Sequence, residues 1–339
     1  MKWLITGGSG FIGCNAADRL TSEGHDVAVY DDLSREGSRD NLEWLQQRGL
    51  WTFYEADVRN APLIGQVVEF FRPDVVLHLA AQTAVTTSIT NPRDDFGVNV
   101  GGTLNVLEAV RKRVPEAVVI FSSTNKVYGD VGERPVSEAQ PLDPCTPYGV
   151  SKAAADLYCL DYARTYGLRT VVFRQSCCYG ERQTGSEDQG WVAWFARAAM
   201  TGQPITIYGD GYQVRDLLHV DDLVEAYTRV ATTPSVWGQA FNVGGGPKNT
   251  KTLLAVLSGI GSRGYQAEVS YAAARPGDQR TYISDTGKLW DTLKWAPKIG
   301  VTEGLDRLIA WLAESPLGVA GLPPSLGDDL PRGRVNQPL

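Results

Sequence analysis

The first half of the chain alternates two residue patterns along its length. Short apolar runs rich in β-branched residues predict strands, and longer segments with apolar residues every three or four positions predict amphipathic helices. Because this alternation is typical of βαβ units with right-handed crossovers, we expect an α/β fold with a doubly wound parallel sheet. The predicted strands span 2–6, 26–31, 51–57, 75–79, 117–122 and 169–174, and the predicted helices span about 11–22, 61–71, 93–113 and 147–166.

The pattern changes after residue 175 into turn-rich segments, such as Tyr-Gly-Asp-Gly at 208–211. This change predicts a sheet domain at 1–175, whose last elements are interleaved with a second lobe up to about residue 245. The smaller C-terminal lobe, mainly 176–315, is expected to pack at the carboxyl edge of the sheet. The stretch 316–339 is rich in Pro and Gly and shows no apolar period, which predicts a loosely ordered tail.

The charge balance limits the partners of this chain. Its 339 residues include 39 acidic and 32 basic side chains, a net charge of −7. An acidic protein lacks the broad basic surface that nucleic acid or an anionic membrane requires, and no apolar run approaches the roughly 18 residues of a membrane span. The five cysteines form no CxxC pair and no zinc-type spacing, and they fit a reducing compartment. We expect a cytoplasmic protein with no metal, no nucleic acid and no membrane as partner.

A glycine-rich turn follows the first predicted strand and opens the first predicted helix. Gly7 permits a tight turn, Gly10 lets the backbone approach a pyrophosphate, and Gly13 lets the helix and strand touch. The start of the helix, at Phe11 and Ile12, supplies unpaired N–H groups to an anion. Strand, turn and helix in this order predict the dinucleotide site of a Rossmann fold.

Two acids follow the next strands of the predicted sheet. Asp31 ends the second strand, where a carboxylate can accept both ribose hydroxyls of an adenosine and repels a 2′-phosphate. This position favours NAD over NADP, although Arg35 follows closely and could contact a phosphate. Asp57 ends the third predicted strand, where it could meet the adenine edge or cap the following helix, and both interpretations stay open.

Tyr148 and Lys152 lie four residues apart at the head of a predicted helix, so their side chains share one face. An ammonium one turn away and a cationic nicotinamide ring would favour the phenolate of a tyrosine, whose pKa is ordinarily about 10. Tyr148 could then take a proton from a substrate hydroxyl while a hydride leaves the same carbon. A surface pair on a helix is the plain alternative. The preceding strand ends at Ser122-Ser123-Thr124, where a hydroxyl can polarise the same oxygen.

Through these motifs and several others, the sequence resembles the extended short-chain dehydrogenase/reductases of the NAD-dependent epimerase/dehydratase family. The resemblance covers about residues 1–312 and rests on TGGSGFIG at 6–13, HLAAQ at 78–82, Asn99, SSTNKVYG at 122–129, YGVSK at 148–152, YGDGYQVRDLLHVDD at 208–222 and RPGDQR at 275–280. It implies a nucleotide-sugar enzyme with bound NAD and with Thr124, Tyr148 and Lys152 as catalytic residues. The implied cofactor-binding residues are Gly7, Gly10, Phe11, Ile12, Gly13, Asp31, Asp32, Asp57, Val58, Leu79, Ala80, Ala81, Asn99, Ser122, Tyr148 and Lys152.

The turn Thr124-Asn125-Lys126 bears on the type of reaction. The 4,6-dehydratases of the family carry Thr-Asp-Glu at this place, and those two carboxyl groups are the acid and base that expel water. An amide and an ammonium cannot replace them in that role, so Asn125 and Lys126 argue against 4,6-dehydration. Two types of reaction remain, namely epimerisation and net reduction with exchange of cofactor.

Two further strings, STNKVYGD at 123–130 and DQGWV at 188–192, resemble the CDP-paratose 2-epimerase (CDP-tyvelose epimerase) branch of the family. That resemblance implies oxidation and re-reduction of C2 in a CDP-linked deoxyhexose through a transient 2-keto intermediate. A UDP-sugar 4-epimerase is the main alternative, because the same three catalytic residues could serve C4 of a rotated sugar. A nucleotide-sugar dehydratase or reductase and a non-catalytic NAD-sensing protein are further alternatives.

The substrate side requires cations for a diphosphate and polar groups for a sugar. Arg215, Arg275 and Arg280 match family positions that contact phosphates, although each could be a solvated surface charge. Ser123 and Asn125 could bind the keto sugar or be satisfied within the end of the strand. The implied substrate-binding residues are Ser123, Thr124, Asn125, Arg174, Gln175, Ser176, Gln189, Arg215, Arg275 and Arg280. The same resemblance implies a homodimer through the helices near 93–113 and 147–166.

Overall fold

The computed structural model describes residues 1–50 and 52–315, so the predicted tail at 316–339 lies outside the described residues. The strands are β1 (Lys2–Thr6), β2 (Asp26–Asp31), β3 (Thr52–Glu55), β4 (Val75–His78), β5 (Val118–Thr124), β6 (Arg169–Gln175), β7 (Cys177–Tyr179), β8 (Ile205–Tyr208), β9 (Val214–His219), β10 (Gln239–Val243), β11 (Thr250–Thr252), β12 (Val269–Ala272) and β13 (Thr281–Tyr282). The α-helices are α1 (Phe11–Ser22), α2 (Ser38–Gln47), α3 (Ala61–Phe71), α4 (Val85–Thr90), α5 (Pro92–Phe96), α6 (Gly102–Arg113), α7 (Pro147–Tyr166), α8 (Trp191–Thr201), α9 (Val220–Ala231), α10 (Leu253–Gly261), α11 (Gly287–Leu293) and α12 (Val301–Glu314).

A seven-stranded sheet forms the centre of the molecule, with the order β3-β2-β1-β4-β5-β6-β10. Every neighbouring pair in this sheet is parallel. The prediction of a doubly wound α/β fold is therefore confirmed. The strand order reverses between β1 and β4, and the loops that leave these two strands diverge to opposite faces. Ligands of open α/β sheets bind in the crevice that this divergence opens at the carboxyl ends of the strands.

Side chains alternate between two hydrophobic cores along each central strand, as the pleat of a strand requires. In β1, Trp3 and Ile5 face the core that includes α1, α2 and α9, while Leu4 faces the core that includes α3, α6 and α7. Helices on both faces bury the central strands β1, β4, β5 and β6 over most of their length. This arrangement explains why the central strands read as continuous apolar runs rather than as alternating apolar and polar residues.

Helix α7 has clear local start and stop signals. Thr146 caps its N-terminus by accepting a hydrogen bond from the backbone N–H of Gly149 at 3.2 Å, and Pro147 occupies the first turn. Gly167, with φ at +70°, ends the helix in the left-handed conformation that glycine adopts readily. These signals place Tyr148 and Lys152 in the first two turns of α7, which pack beside the end of β5.

The second lobe is built on a smaller core. Helices α8, α10 and α12 pack on β8 and β9. The exposed strand β12 pairs in parallel with β8, and β9 lies between β11 and β13. The chain does not stay in this lobe, because β10 returns to pair with β6 and α9 packs against the face of the sheet that holds α1. The chain returns to the sheet once more after β10, because Leu289 of α11 and Trp295 also lie in the core beside α1.

Several element boundaries differ from the sequence-based expectation. The predicted helix at 93–113 is divided into α5, a π-helical turn at Gly97–Gly101 and α6. β5 continues to Thr124 because Ser123 and Thr124 still pair with β6. β3 ends at Glu55, so Asp57 lies two residues beyond the strand. Helices α2 and α4 were not predicted, since neither has an extended apolar period.

None of the described helices is both long and apolar enough to cross a membrane. Within 1–50 and 52–315, no group of three or more His, Cys, Asp or Glu side chains is arranged to hold a metal ion. All five cysteines are free thiols.

Candidate active site

A cavity of about 770 Å³ opens at the carboxyl ends of the central strands, in the crevice where the strand order reverses. The sheet domain supplies one wall of this cavity, and the second lobe supplies the other through residues near Trp191, Tyr208, Arg215 and Arg275. Its size is that of a small-molecule or cofactor site. Both the predicted cofactor turn and the predicted catalytic residues line it, so one cavity joins the two.

The glycine turn after β1 fits a dinucleotide. A Cβ on Gly7 would lie 2.6 Å from the backbone N of Ala80, and a Cβ on Gly13 would lie 2.2 Å from the carbonyl oxygen of Gly7, so neither position admits a side chain. Gly10 is the N-cap of helix α1 and offers no side-chain cap, and the first turn holds no acid, which leaves the N-terminal N–H groups for an anion. The predicted cofactor residues Phe11, Ile12, Asp32, Val58, Leu79, Ala80, Ala81 and Ser122 also line the cavity.

Asp31 both lines the cavity and shapes the turn. Its carboxylate accepts hydrogen bonds from the backbone N–H groups of Ser9 and Leu33, each at 2.9 Å. Burial raises the pKa of Asp31, while these backbone donors act in the opposite direction. The carboxylate is thus held rigidly at the end of β2, where a ribose is expected.

Asp57 also lines the cavity, and its carboxylate accepts a hydrogen bond from the Nε of Arg59 at 2.8 Å. The cap of α3 is Asn60, whose side chain accepts from the backbone N–H of Leu63 at 3.1 Å. The helix-cap interpretation of Asp57 is therefore wrong. Its contact with an adenine edge stays a prediction.

Tyr148, Thr124 and Lys152 converge at the floor of the cavity. The side chains of Tyr148 and Thr124 share a hydrogen bond, and burial raises the pKa of Tyr148 to about 12. The Nζ of Lys152 lies 4.3 Å from the centroid of the Phe121 ring, and burial lowers the pKa of this lysine to about 8. The phenol of Tyr148 is therefore protonated at neutral pH in the protein without a bound ligand.

The rise in the pKa of Tyr148 comes first from burial; the Thr124 hydrogen bond opposes it, the charge of Asp95 adds to it, and the nearby cation Arg35 opposes it more weakly. The sequence suggested Arg35 only as a phosphate contact. In the structure it lines the cavity between the cofactor turn and the catalytic residues. A phenol that hydrogen-bonds to Thr124 and lies near the guanidinium of Arg35 is suited to hold and release one proton at the Oη of Tyr148.

Two of the predicted phosphate-binding arginines lie in the wall that the second lobe supplies. Arg215 is only 5% exposed and donates from Nη2 to Asp278 Oδ1 at 2.7 Å and to the carbonyl oxygen of Gln279 at 2.6 Å. Arg275 stacks 3.8 Å from the centroid of the Tyr208 ring and donates to the carbonyl oxygen of Glu187 at 3.1 Å. Both guanidinium groups are held in place by contacts from within the protein.

Other predicted substrate residues line the cavity but already have partners. Ser123 donates to Asp156 at 2.9 Å, and Asn125 donates to Gln279 Oε1 at 3.1 Å. Gln175 donates to Ser122 at 2.8 Å. The hydroxyl of Ser176 donates to the backbone carbonyl of Asp216 at 2.8 Å, and Gln189 lies in the cavity wall.

Three predicted site residues lie outside the cavity lining. Arg174 forms a bidentate ion pair with Asp156 at 2.8 and 3.0 Å in the interior, because Asp156 would otherwise be a buried unpaired charge. Arg280 pairs with Asp210 on the surface. The side chain of Asn99 donates to Ser151 at 3.0 Å, in the π-helical turn that backs the start of α7. The guanidinium of Arg174 is held by Asp156, and its predicted contact with the substrate stays a prediction.

Several cavity residues were missed as site residues from the sequence. Lys126 was used only to argue against dehydration, yet its ammonium lies 3.4 Å from Asp278 in the cavity wall. Arg182 adopts a left-handed backbone, with φ at +70°, and stacks 3.6 Å from the centroid of the Trp44 ring. Only Lys126 carried a signal, since it is a basic residue two positions after the strand that ends at Thr124.

The fold and this site define a class of protein. The chain belongs to the NAD dependent epimerase/dehydratase family, whose model matches residues 3–244. It is an NAD-dependent enzyme and an isomerase of the epimerase type. When bound in the cavity, NAD supplies a hydride acceptor and donor.

Among characterised relatives, the chain is 42% identical over 334 residues to the CDP-paratose 2-epimerase of Salmonella typhi, with 92% of this chain and 99% of that protein covered. The crystal structure of UDP-glucose 4-epimerase from Thermotoga maritima with UDP-glucose is similar, with a TM-score of 0.86 at 34% identity and with 93% and 99% of the two chains covered. The UDP-glucose 4-epimerase of Thermus thermophilus in complex with NAD has a TM-score of 0.84 at 35% identity, with 92% and 98% covered.

Proposed function

We propose that this enzyme inverts C2 of a CDP-linked deoxyhexose of the CDP-paratose type, using one bound NAD that is recycled in place. The 42% identity to a CDP-paratose 2-epimerase over nearly the whole chain supports this assignment. The observation that carries it is the turn after β5, where Asn125 and Lys126 stand beside the catalytic hydroxyl of Thr124 in the cavity wall. That turn offers no carboxyl group to expel water.

Tyr148 is the proposed acid and base. Its Oη takes the proton of the C2 hydroxyl during oxidation and returns it when the 2-keto sugar is reduced. Because burial raises the pKa of Tyr148 to about 12, the tyrosine needs positive charge nearby to act as a base. Lys152, one helical turn along the same face, and Arg35 are the cations that this chain provides. Thr124 hydrogen-bonds to Tyr148 and is placed to orient the reacting oxygen.

Inversion requires that the keto sugar turn over while the nucleotide stays bound. Arg215 and Arg275 are the proposed anchors of the diphosphate, since both lie in the wall opposite the cofactor turn and are fixed by their neighbours. The sugar then has freedom to rotate about the bonds that join it to the phosphate. The second face of C2 is thereby presented to the same hydride.

The second candidate is a UDP-sugar 4-epimerase. The structural similarity to a UDP-glucose 4-epimerase with bound UDP-glucose favours it, because the same Thr124, Tyr148 and Lys152 can serve C4 of a rotated sugar. A panel of CDP-, UDP- and GDP-sugars, incubated with the purified enzyme and analysed by NMR, separates the two. We expect inversion at C2 of a CDP-sugar, and inversion only of UDP-sugars at C4 would refute the proposal.

A homodimer is the proposed assembly, formed through α5, α6 and α7. Val150 and Leu157 are 53% and 51% exposed and lie seven residues apart on one face of α7, and Phe96 on α5 is 60% exposed. Exposed apolar side chains on adjacent helices are typical of a subunit interface. The cytoplasmic location and the tail at 316–339 stay predictions.

We expect Leu157→Glu to convert the dimer to a monomer, because the substitution places a charge in the apolar contact between helices. Light scattering coupled to size-exclusion chromatography measures the mass. The matched control is Tyr271→Glu on β12, since Tyr271 is 60% exposed and lies in the second lobe. A wild-type protein that elutes as a monomer at micromolar concentration would contradict the dimer.

A further inference from the structure

One acidic side chain in the cavity wall is shared by two cations. Asp278 Oδ1 accepts from Arg215 Nη2 at 2.7 Å and from Lys126 Nζ at 3.4 Å. The side chains of Arg215 and Lys126 are 6% and 19% exposed, and that of Asp278 is 30% exposed. Two largely buried positive charges therefore face one carboxylate, and the group carries an excess positive charge inside the cavity.

Buried cations of this kind require an anion nearby to compensate their positive charge. Burial lowers the pKa of Lys126, and the neighbouring Arg215 acts in the same direction. The nearest anion, Asp278, is the most exposed of the three and serves two partners. An anionic ligand with two charged groups would complete the cluster, since each cation could then bind one of them.

Lys126 also connects this cluster to the reacting centre. Its backbone N–H donates to Thr124 Oγ1 at 3.3 Å, and Thr124 in turn hydrogen-bonds to Tyr148. The adjacent Asn125 donates a hydrogen bond to Gln279 at 3.1 Å, next to the contact between Lys126 and Asp278. The backbone of Lys126 thus contacts the catalytic hydroxyl of Thr124, and its ammonium lies beside Arg215, which we propose anchors the diphosphate.

The chemistry of the sugar gives this position a consequence. C2 is bonded to the anomeric carbon that carries the phosphate, whereas C4 lies across the ring from it. Oxidation at C2 therefore demands that the sugar-bearing phosphate be held close to Tyr148 and Thr124. Oxidation at C4 demands that this phosphate be held farther away.

We propose that Lys126 binds the sugar-bearing phosphate of the substrate and so places C2, rather than C4, opposite Tyr148. This inference rests on the proposed function. In it, Arg215 holds the phosphate next to the nucleoside, and Lys126 holds the one next to the sugar. Lys126 is then a specificity-determining residue that selects which carbon is oxidised.

The test compares the binding of CDP and CMP to the NAD-loaded enzyme by calorimetry, because CMP lacks the second phosphate. For Lys126→Met we expect CDP to bind about 10- to 100-fold more weakly while CMP binding is unchanged, as loss of one charge-assisted hydrogen bond predicts. Lys126→Arg keeps the charge and should retain part of the CDP affinity. Lys248→Met is the matched control, since Lys248 is exposed and lies outside the cavity lining.

Equal weakening of CDP and CMP in Lys126→Met would overturn the inference, because it would indicate that the turn after β5 has merely been disturbed. Unchanged CDP affinity would overturn it as well. The proposed function fails separately, if the wild-type enzyme inverts no CDP-sugar at C2. If the wild type inverts C2 and Lys126→Met binds CDP like the wild type, only the proposed role of Lys126 is refuted.

Discussion

Replacement of Tyr148 with Phe is expected to lower kcat by about 10²- to 10⁴-fold, the usual contribution of a general acid and base. The substitution removes only the hydroxyl, and the Phe ring fills the same buried space between Thr124 and the helix. NAD binding should therefore be unchanged. Steady-state kinetics and cofactor titration by fluorescence measure the two effects.

The matched control for this prediction is Tyr158→Phe. Tyr158 lies on the same helix and is 41% exposed, away from the cavity lining. Its variant should retain full activity, which separates loss of the reacting hydroxyl from a general effect on α7. If Tyr148→Phe kept wild-type kcat, Tyr148 would not be the group that transfers the proton.

Replacement of Arg174 with Met is expected to destabilise the protein by about 3 to 5 kcal/mol, because it leaves Asp156 buried without its ionic partner. The carboxylate of Asp156 is fully buried, and the guanidinium contacts both of its oxygens at 2.8 and 3.0 Å. Arg174 also donates to the hydroxyl of Tyr128 at 3.1 Å. Denaturant unfolding followed by circular dichroism measures the loss.

Arg169→Met is the control on the same strand. Arg169 pairs with Glu116, whose side chain is 80% exposed, so its loss should cost no more than about 1 kcal/mol. A double variant, Arg174→Met with Asp156→Leu, should regain much of the stability, since neither charge is then left alone. If Arg174→Met unfolded like the wild type but raised the KM for the nucleotide sugar, the substrate contact expected from the sequence would be correct.

The parts of this molecule that rest on local patterns were predictable. The glycine turn at 7–13 needs only the order of strand, glycines and helix, and the spacing of Tyr148 and Lys152 needs only the helical period. The strand positions of the first 175 residues follow for the same reason, whereas helices α2 and α4 lack an extended apolar period and were missed. The π-helical turn at Gly97–Gly101 has no such signal, because it alters the hydrogen-bond register without changing the apolar period.

The roles of individual arginines were not predictable, because each depends on a partner far away in the sequence. Arg174 and Arg215 both follow apolar strand residues, yet one meets Asp156 in the interior and the other meets Asp278 in the cavity wall. Lys126 reaches Asp278 across 152 residues of sequence. Charge type and spacing indicate that a cation is present, and only the fold determines which anion it meets.

In the proposed reaction, C2 of a CDP-sugar is oxidised by loss of a hydride and then reduced by return of that hydride to its other face. Conversion of CDP-paratose in deuterated water, followed by proton NMR of the product, tests it most directly. We expect a product inverted at C2 that carries protium at that carbon, because the hydride never exchanges with solvent. Deuterium at C2, which would indicate enolisation, or the absence of C2 inversion would contradict it.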